Sequence, residues 1–406
     1  MSADAQDRGG RPVADIVTGA EVLARAGFDR LIGRRVGLIT NHTGRVGDER
    51  LVDAMARARG VRLTAILSPE HGLTGAAEAG AKVHGGVDAA TGVKVLSLYG
   101  QAYKPTPDML ADLDVLVFDM QDIGTRFYTY ISTMGLAMQA AAAAGLPFLV
   151  LDRPNPLGGD TVTGFVLEKA FQSFVGRFEI PIAHGLTTGE LALMIKGRRL
   201  MAGLDGLELE VVGLEGWQRA MRWPQTGLPW VATSPNIPTF ETALAYAGTG
   251  LFEATTASEG RGTDQPFLLL GHPDVDADPI LAAMAGAGLP GVRFLAQQVT
   301  PRVIAGAATS PRFKGRKFTA VRVVVTDAMR YRPVETGMHL LAAFASGLTA
   351  KGAGALVVDA KAFDRLAGTD RLRVALTRGA SGAELVASWA GEAAAFDRRR
   401  AEFLRY

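Results

Sequence analysis

The chain has 406 residues, 48% of them hydrophobic and 21% charged, a balance suited to a globular protein that buries a substantial core without metal or disulfide staples. Its 43 basic and 41 acidic side chains leave a net charge of +2, which asks for neither nucleic acid nor an anionic membrane as a partner. With no cysteine, disulfides, thiolate metal sites and a cysteine nucleophile are excluded.

Met1 to Ala20 is polar, carries Asp4, Asp7 and Asp15, and lacks the basic start and apolar core of a secretory signal. Disorder is expected over the first five residues or so, extending at most to the first dozen. No apolar stretch is long enough for a bilayer, the Ala-rich run 140–144 being part of an amphipathic helix pattern. The expected location is the cytoplasm. Strands are predicted at 35–40, 62–67, 93–98, 114–118 and 147–151, with helices at 48–59 and 125–144. Unbroken Val/Ile/Leu runs, rather than alternation, suit strands buried on both faces of a parallel sheet. Strands separated by helices indicate a doubly wound α/β layer. The second half is less regular. Strands are predicted at 207–212, 267–270 and 321–326, and helices at 337–346 and 382–403; 289–294 is ambiguous. The Arg398-Arg399-Arg400 run reads as a solvated helix face. Gly248-Thr249-Gly250 has the composition of a hinge or a tight turn. It divides the chain into a doubly wound α/β domain, 15–247, and a smaller α+β domain, 248–406.

The unusual polar residues follow strand ends. Asn41 and His42 follow the first, and Glu70 and His71 the second. Asp119, Gln121 and Asp122 follow the fourth, and Asp152 and Asn155 the fifth. That edge of an open α/β sheet is where ligands bind, although Asp, Asn, Pro and Gly are also ordinary turn residues. Glu70, between Pro69 and His71, serves neither helix nor strand. Arg126, Tyr128 and Tyr130 suit a sugar, offering aromatic faces and a multi-donor fork. Their alternate spacing cannot share one helix face, so the first turn there is expected to be irregular. Thr187 and Glu190 have capping-box spacing, which makes Glu190 a cap rather than a catalyst; His184 lies just before it, within reach of a ligand. Pro235 and Pro238 stiffen the loop that presents Asn236. Glu259 and Arg261 sit in a Gly-rich loop and pair with each other or with a ligand. There is no dinucleotide fingerprint, phosphate loop, nucleophile elbow or zinc-helix spacing; what remains is carboxylates, histidines, amides and aromatics, a set suited to acid/base work on a neutral, polyhydroxylated substrate.

The segments TNHTG (40–44), SPEHG (68–72), DMQDIGTRFYTY (119–130), LDRPNPLGG (151–159), HGLTTGELA (184–192), TSPNIPT (233–239) and TTASEGRGTDQPF (255–267) resemble, in order, the exo-β-N-acetylmuramidase family. The resemblance implies a Rossmann-like domain without nucleotide, a smaller second domain, and an active site between them. It also implies release of N-acetylmuramic acid (MurNAc) from the non-reducing end of peptidoglycan fragments, without a cofactor. Glu70 then takes the place of the family's candidate acid, and His71 tunes or orients it. Asp119, Asp122 and Glu259 are candidates for a base or nucleophile, with the substrate's acetamido group as the alternative. Arg126 or Arg261 is expected to hold the lactyl carboxylate. A non-catalytic muropeptide-binding protein would need the same aromatics and amides, but no acid; an amidase would need a metal set or triad that cannot be read here.

Overall fold

The computed structural model describes residues 16–100 and 102–406. Residue 15, the expected domain start, and the opening dozen residues lie outside them.

Six apolar runs make one sheet: β1 (Arg35–Thr40), β2 (Arg62–Ser68), β3 (Lys94–Ser97), β4 (Val115–Asp119), β5 (Phe148–Leu151) and β6 (Leu209–Val212). They lie in the order β3-β2-β1-β4-β5-β6, all pairs parallel, with Gly86–Val87 antiparallel outside β3. The run at 207–212, assigned from sequence to an irregular second half, thus completes the first sheet. Val36, Leu38 and Val117 point into a core with α1 (Gly19–Arg25) and α2 (Leu51–Arg57). Ile39, Leu116 and Phe118 point the other way, against α3 (Tyr130–Ala144) and α4 (Thr188–Gly197). Burial on both faces explains why the strands read as unbroken apolar runs.

The strand order reverses between β1 and β4, so the loops after these strands diverge and leave a crevice at their carboxyl ends. Helix α2 starts later than expected because a two-residue ladder, Arg45–Val46 with Glu49–Arg50, precedes it. Helix α3 starts at Tyr130 rather than 125, so residues 125–129 form the irregular entry that the Arg126/Tyr128/Tyr130 spacing demanded.

Helix α5 (Phe240–Thr249) leads into a three-stranded antiparallel sheet of β7 (Leu269–Leu270), β8 (Val292–Val299) and β9 (Phe318–Val325), ordered β7-β9-β8. The ambiguous 289–294 is therefore the start of a strand. Around this sheet pack α6 (Ala277–Gly286) and α7 (Pro333–Ala350), followed by α8 (Ala360–Ala367), α9 (Arg371–Thr377) and α10 (Gly382–Arg400). Gly248 lies inside α5, not in a hinge: a Cβ there would stand 2.0 Å from the Pro333 carbonyl oxygen of α7. Gly337 faces it across the same crossing. Two glycines thus let the helix backbones touch. Arg400 departs from the solvated reading of its run, since it is buried and donates to the carbonyl oxygens of Gly159 (2.7 Å) and Gly185. Among the described residues, no helix is long and apolar enough to cross a membrane.

Candidate active site

A cavity of about 220 Å³ opens between the carboxyl edge of the parallel sheet and the second half of the chain. The β2 loop contributes Glu70 and His71, and the approach to α3 contributes Tyr128 and Thr129. The Pro-rich loop adds Ser234 and Asn236; the second half adds Tyr246, Glu253, Arg261 and Phe267.

Glu70 is 7% exposed, and both of its carboxylate oxygens are engaged. Thr129 Oγ1 donates to Oε2 at 2.7 Å and the Gly80 N–H to Oε1 at 3.0 Å. The carboxylate is held from two loops while still forming cavity wall. The chain turns sharply behind it: His71 has φ +70° and Gly72 φ +76°. A left-handed non-glycine residue is held there only by its surroundings. The holding contact is His71 Nδ1 to the Ala77 carbonyl oxygen, 2.7 Å. A carbonyl only accepts, so Nδ1 carries the proton and Nε2 keeps a lone pair. Burial pushes the imidazole pKa down, against the opposing pull of Glu70 and Ala77, which keeps the ring neutral near pH 7.

In the same cavity, Arg261 pairs with Glu253 and lies 3.4 Å from Glu259, its guanidinium 5.3 Å above the Phe267 ring. Burial works against its charge, but the two carboxylates outweigh it and hold the pKa above the usual arginine value. Burial pushes the Glu259 carboxyl up, although Arg261 opposes it. Asn236 donates through Nδ2 to the Ala307 carbonyl oxygen at 2.7 Å, which ties the Pro-rich loop to the second half.

The structure therefore gathers Glu70, His71, Tyr128, Asn236 and Arg261 around one space, with Glu259 behind Arg261. Other expected site residues are elsewhere. Asp119 is fully buried and its carboxylate is taken by Arg153, Nε–Oδ1 2.5 Å and Nη2–Oδ2 2.9 Å. Asp122 does not line the cavity; it accepts the Gly124 N–H at 2.6 Å and faces His184 Nε2 at 3.9 Å. Burial raises Asp122 to about 7 and lowers His184 to about 3, so both stay neutral at pH 6. His184, 1% exposed, uses Nδ1 to accept the Leu186 N–H and reaches no ligand space. Arg126 is 0% exposed and donates to the carbonyl oxygens of Phe165, Ile180, Leu366 and Ala367. All those acceptors are neutral, burial pulls its pKa to about 9, and a lactyl carboxylate cannot reach it.

Asn41 accepts from Thr43 and donates to the Tyr130 hydroxyl at 2.8 Å, and Tyr130 in turn donates to the Thr233 carbonyl oxygen. His42 bonds the Ala232 carbonyl oxygen through Nε2 at 2.6 Å, and Asn155 bridges the Leu157 N–H and the Leu186 carbonyl oxygen. These three set loop geometry rather than meet the cavity. Gln121 donates to the carbonyl oxygens of Asp122 and Pro154 and lines a different cavity, about 160 Å³, with Thr43, Arg153 and Trp223. Glu190 is a capping-box residue and an ion-pair partner of Arg219. Among the described residues, no group of three or more His, Asp or Glu is placed to hold a metal.

Among the cavity residues missed in the sequence, three bear polar groups close to Glu70 or Arg261. Thr129 sits in the segment after β4, and its hydroxyl next to an irregular helix start was a readable signal. Tyr99 follows β3, whose end carries no motif. Glu253 belongs to a 3-10 turn, Gly250–Ala254, with nothing local to mark it.

The chain was compared with known proteins. Family models described as exo-β-N-acetylmuramidase NamZ, N-terminal and C-terminal, match residues 36–241 and 244–406. Peptidoglycan β-N-acetylmuramidase NamZ of Bacillus subtilis (strain 168) is 40% identical over 392 residues, 96% of this chain and 91% of that protein. Two crystal structures of DUF1343 family proteins from Bacteroides fragilis NCTC 9343 superpose with TM-scores of 0.88 and 0.77. They are 36% and 32% identical, and each comparison spans 97% of this chain and 100% or 99% of the other. The matches run through both halves of the molecule and across the cavity between them, and the chain belongs to the exo-β-N-acetylmuramidase NamZ family.

Proposed function

We propose that the protein is a glycoside hydrolase that releases MurNAc from the non-reducing end of peptidoglycan fragments, with Glu70 as general acid. One observation carries the reading: a nearly buried carboxylate in the cavity wall, oriented at both oxygens by Thr129 and Gly80. Glycoside cleavage needs a proton at the leaving oxygen and support for an oxocarbenium-like centre. Glu70 supplies the first. His71 acts through it, as the strained residue whose imidazole anchors the turn. For the second, Asp119 is closed off by Arg153, Asp122 lies outside the cavity and Glu259 behind Arg261. Glu253, itself bound to Arg261, and the substrate's own acetamido group are what remain within reach of a bound sugar. Arg261, matched by Glu253, brings no surplus positive charge to a lactyl group.

The test is incubation of purified protein with MurNAc–GlcNAc and with para-nitrophenyl β-MurNAc, reading free MurNAc by mass spectrometry. Release from both, lost in Glu70→Gln, is the expected result. Tight sugar binding without release, unchanged in Glu70→Gln, would instead make the molecule a binding protein.

A further inference from the structure

Beside Glu70, two aromatic rings line the cavity and a third packs against them. Tyr99 and Phe174 line the cavity, with ring centroids 6.0 Å apart. Tyr99 stands beside the acid: burial, then the charge of Glu70, raises its phenol pKa. Tyr103 completes the group, edge-on to Tyr99 at 5.2 Å and tilted against Phe174 at 4.7 Å. Tyr103 is 41% exposed, the one aromatic among the large exposed apolar side chains of the described residues. Three other rings of the same lining, Tyr128, Tyr246 and Phe267, are each no more than 7% exposed. Glu70 meets both groups: Thr129, next to Tyr128, donates to it, and Tyr99 stands beside it.

An acid that protonates a glycosidic oxygen stands at the boundary between the two sugars that the oxygen joins. With the buried rings holding the sugar to be released, the exposed rings meet the leaving one. A pyranose presents an apolar face of C–H groups and a polar rim, and an exposed tyrosine matches it with an apolar ring and a polar tip. We propose that Tyr103, backed by Tyr99 and Phe174, forms the binding subsite for the sugar on the leaving side of the scissile bond. The proposal rests on the hydrolase reading above and adds to it where the rest of the glycan chain lies. Tyr103 is a specificity residue in this scheme: it touches the leaving sugar and no reacting atom.

The test compares two substrates with one variant. MurNAc–GlcNAc has a leaving sugar to stack; β-MurNAc fluoride has a one-atom leaving group that reaches no subsite. Tyr103→Ala is expected to lower kcat/KM on the disaccharide about tenfold relative to kcat/KM on the fluoride, the scale of one lost aromatic contact. Tyr103→Phe, which keeps the ring, should restore most of the ratio. An equal fall on both substrates would show that Tyr103 only packs the loop, and an unchanged ratio would equally overturn the subsite. Wild-type protein inert on both substrates would overturn the hydrolase reading, and this proposal with it. An active wild type whose ratio does not move refutes the subsite alone.

Discussion

Two carboxylate clusters sit on the same edge of the same sheet and do opposite things. After β2, Glu70 accepts two hydrogen bonds and still faces open space. After β4 and β5, Asp119 and Asp152 are fully buried and saturated from within. Asp119 has Arg153, while Asp152 takes the N–H groups of Arg153 and Gly189 and the hydroxyls of Thr187 and Tyr406. The residue types do not distinguish them; unused valence beside a void does. The saturated cluster fixes the loops whose position gives the open carboxylate its use.

The sharpest way to break this contrast is to remove one charge from each side. Glu70→Gln should lower turnover of a MurNAc glycoside by about 10³-fold, in the range for lost general acid catalysis, with the Tm nearly unchanged by calorimetry. Arg153→Ala strands a buried carboxylate and should lower stability by about 3–5 kcal/mol in denaturant titration, while activity per folded molecule falls far less. If Arg153→Ala were instead inactive at full stability, the second cluster would belong to the chemistry.

Proton linkage separates the clusters again. Burial raises Asp122 to about 7 and Asp152 to about 6, from an ordinary carboxyl value of 3.8. Between pH 4 and pH 7 the folded state therefore holds protons that the unfolded state has released. Stability falls as pH rises through that window, and the loss levels off above pH 7. Asp122→Asn removes its share, so the variant should gain on wild type by on the order of 2–4 kcal/mol between pH 4 and pH 8. Parallel Tm-against-pH curves for the two proteins would refute the raised carboxyl. The smallest effect concerns the loop over the acid. Glu78 accepts from the N–H and hydroxyl of Thr309 in the second half of the chain. Because the contact is exposed, Glu78→Ala should change stability by less than about 1 kcal/mol in the same titration.

Most of the sheet was legible because its physics is local to each strand. β1 is a run of Val, Leu and Ile around Gly37, and its predicted and observed ends coincide. The bounds of β7, expected at 267–270 and found at Leu269–Leu270, and the helical start at Tyr130 depend on what packs around them, and no period announces them. The site was legible in part for the same reason. Glu70 stood out because nothing in its own segment used it. Arg126 and His184 looked equally available, and only the tertiary fold shows that carbonyl oxygens and burial consume them. Glu253 reaches the cavity through Arg261, a partner eight positions along the chain, and its own neighbours give no hint of it.

The fork of Arg126 has a kinetic consequence. It grips Phe165 and Ile180 from one half of the molecule and Leu366 and Ala367 from the other. Swinging the halves apart would strand a buried guanidinium and four carbonyl oxygens at once. Capture of a glycan end is then docking into a standing mould, as against the closing of a jaw. Association should track the rate at which chain ends arrive, and turnover should be insensitive to solvent viscosity wherever bond cleavage, and not release, sets the pace.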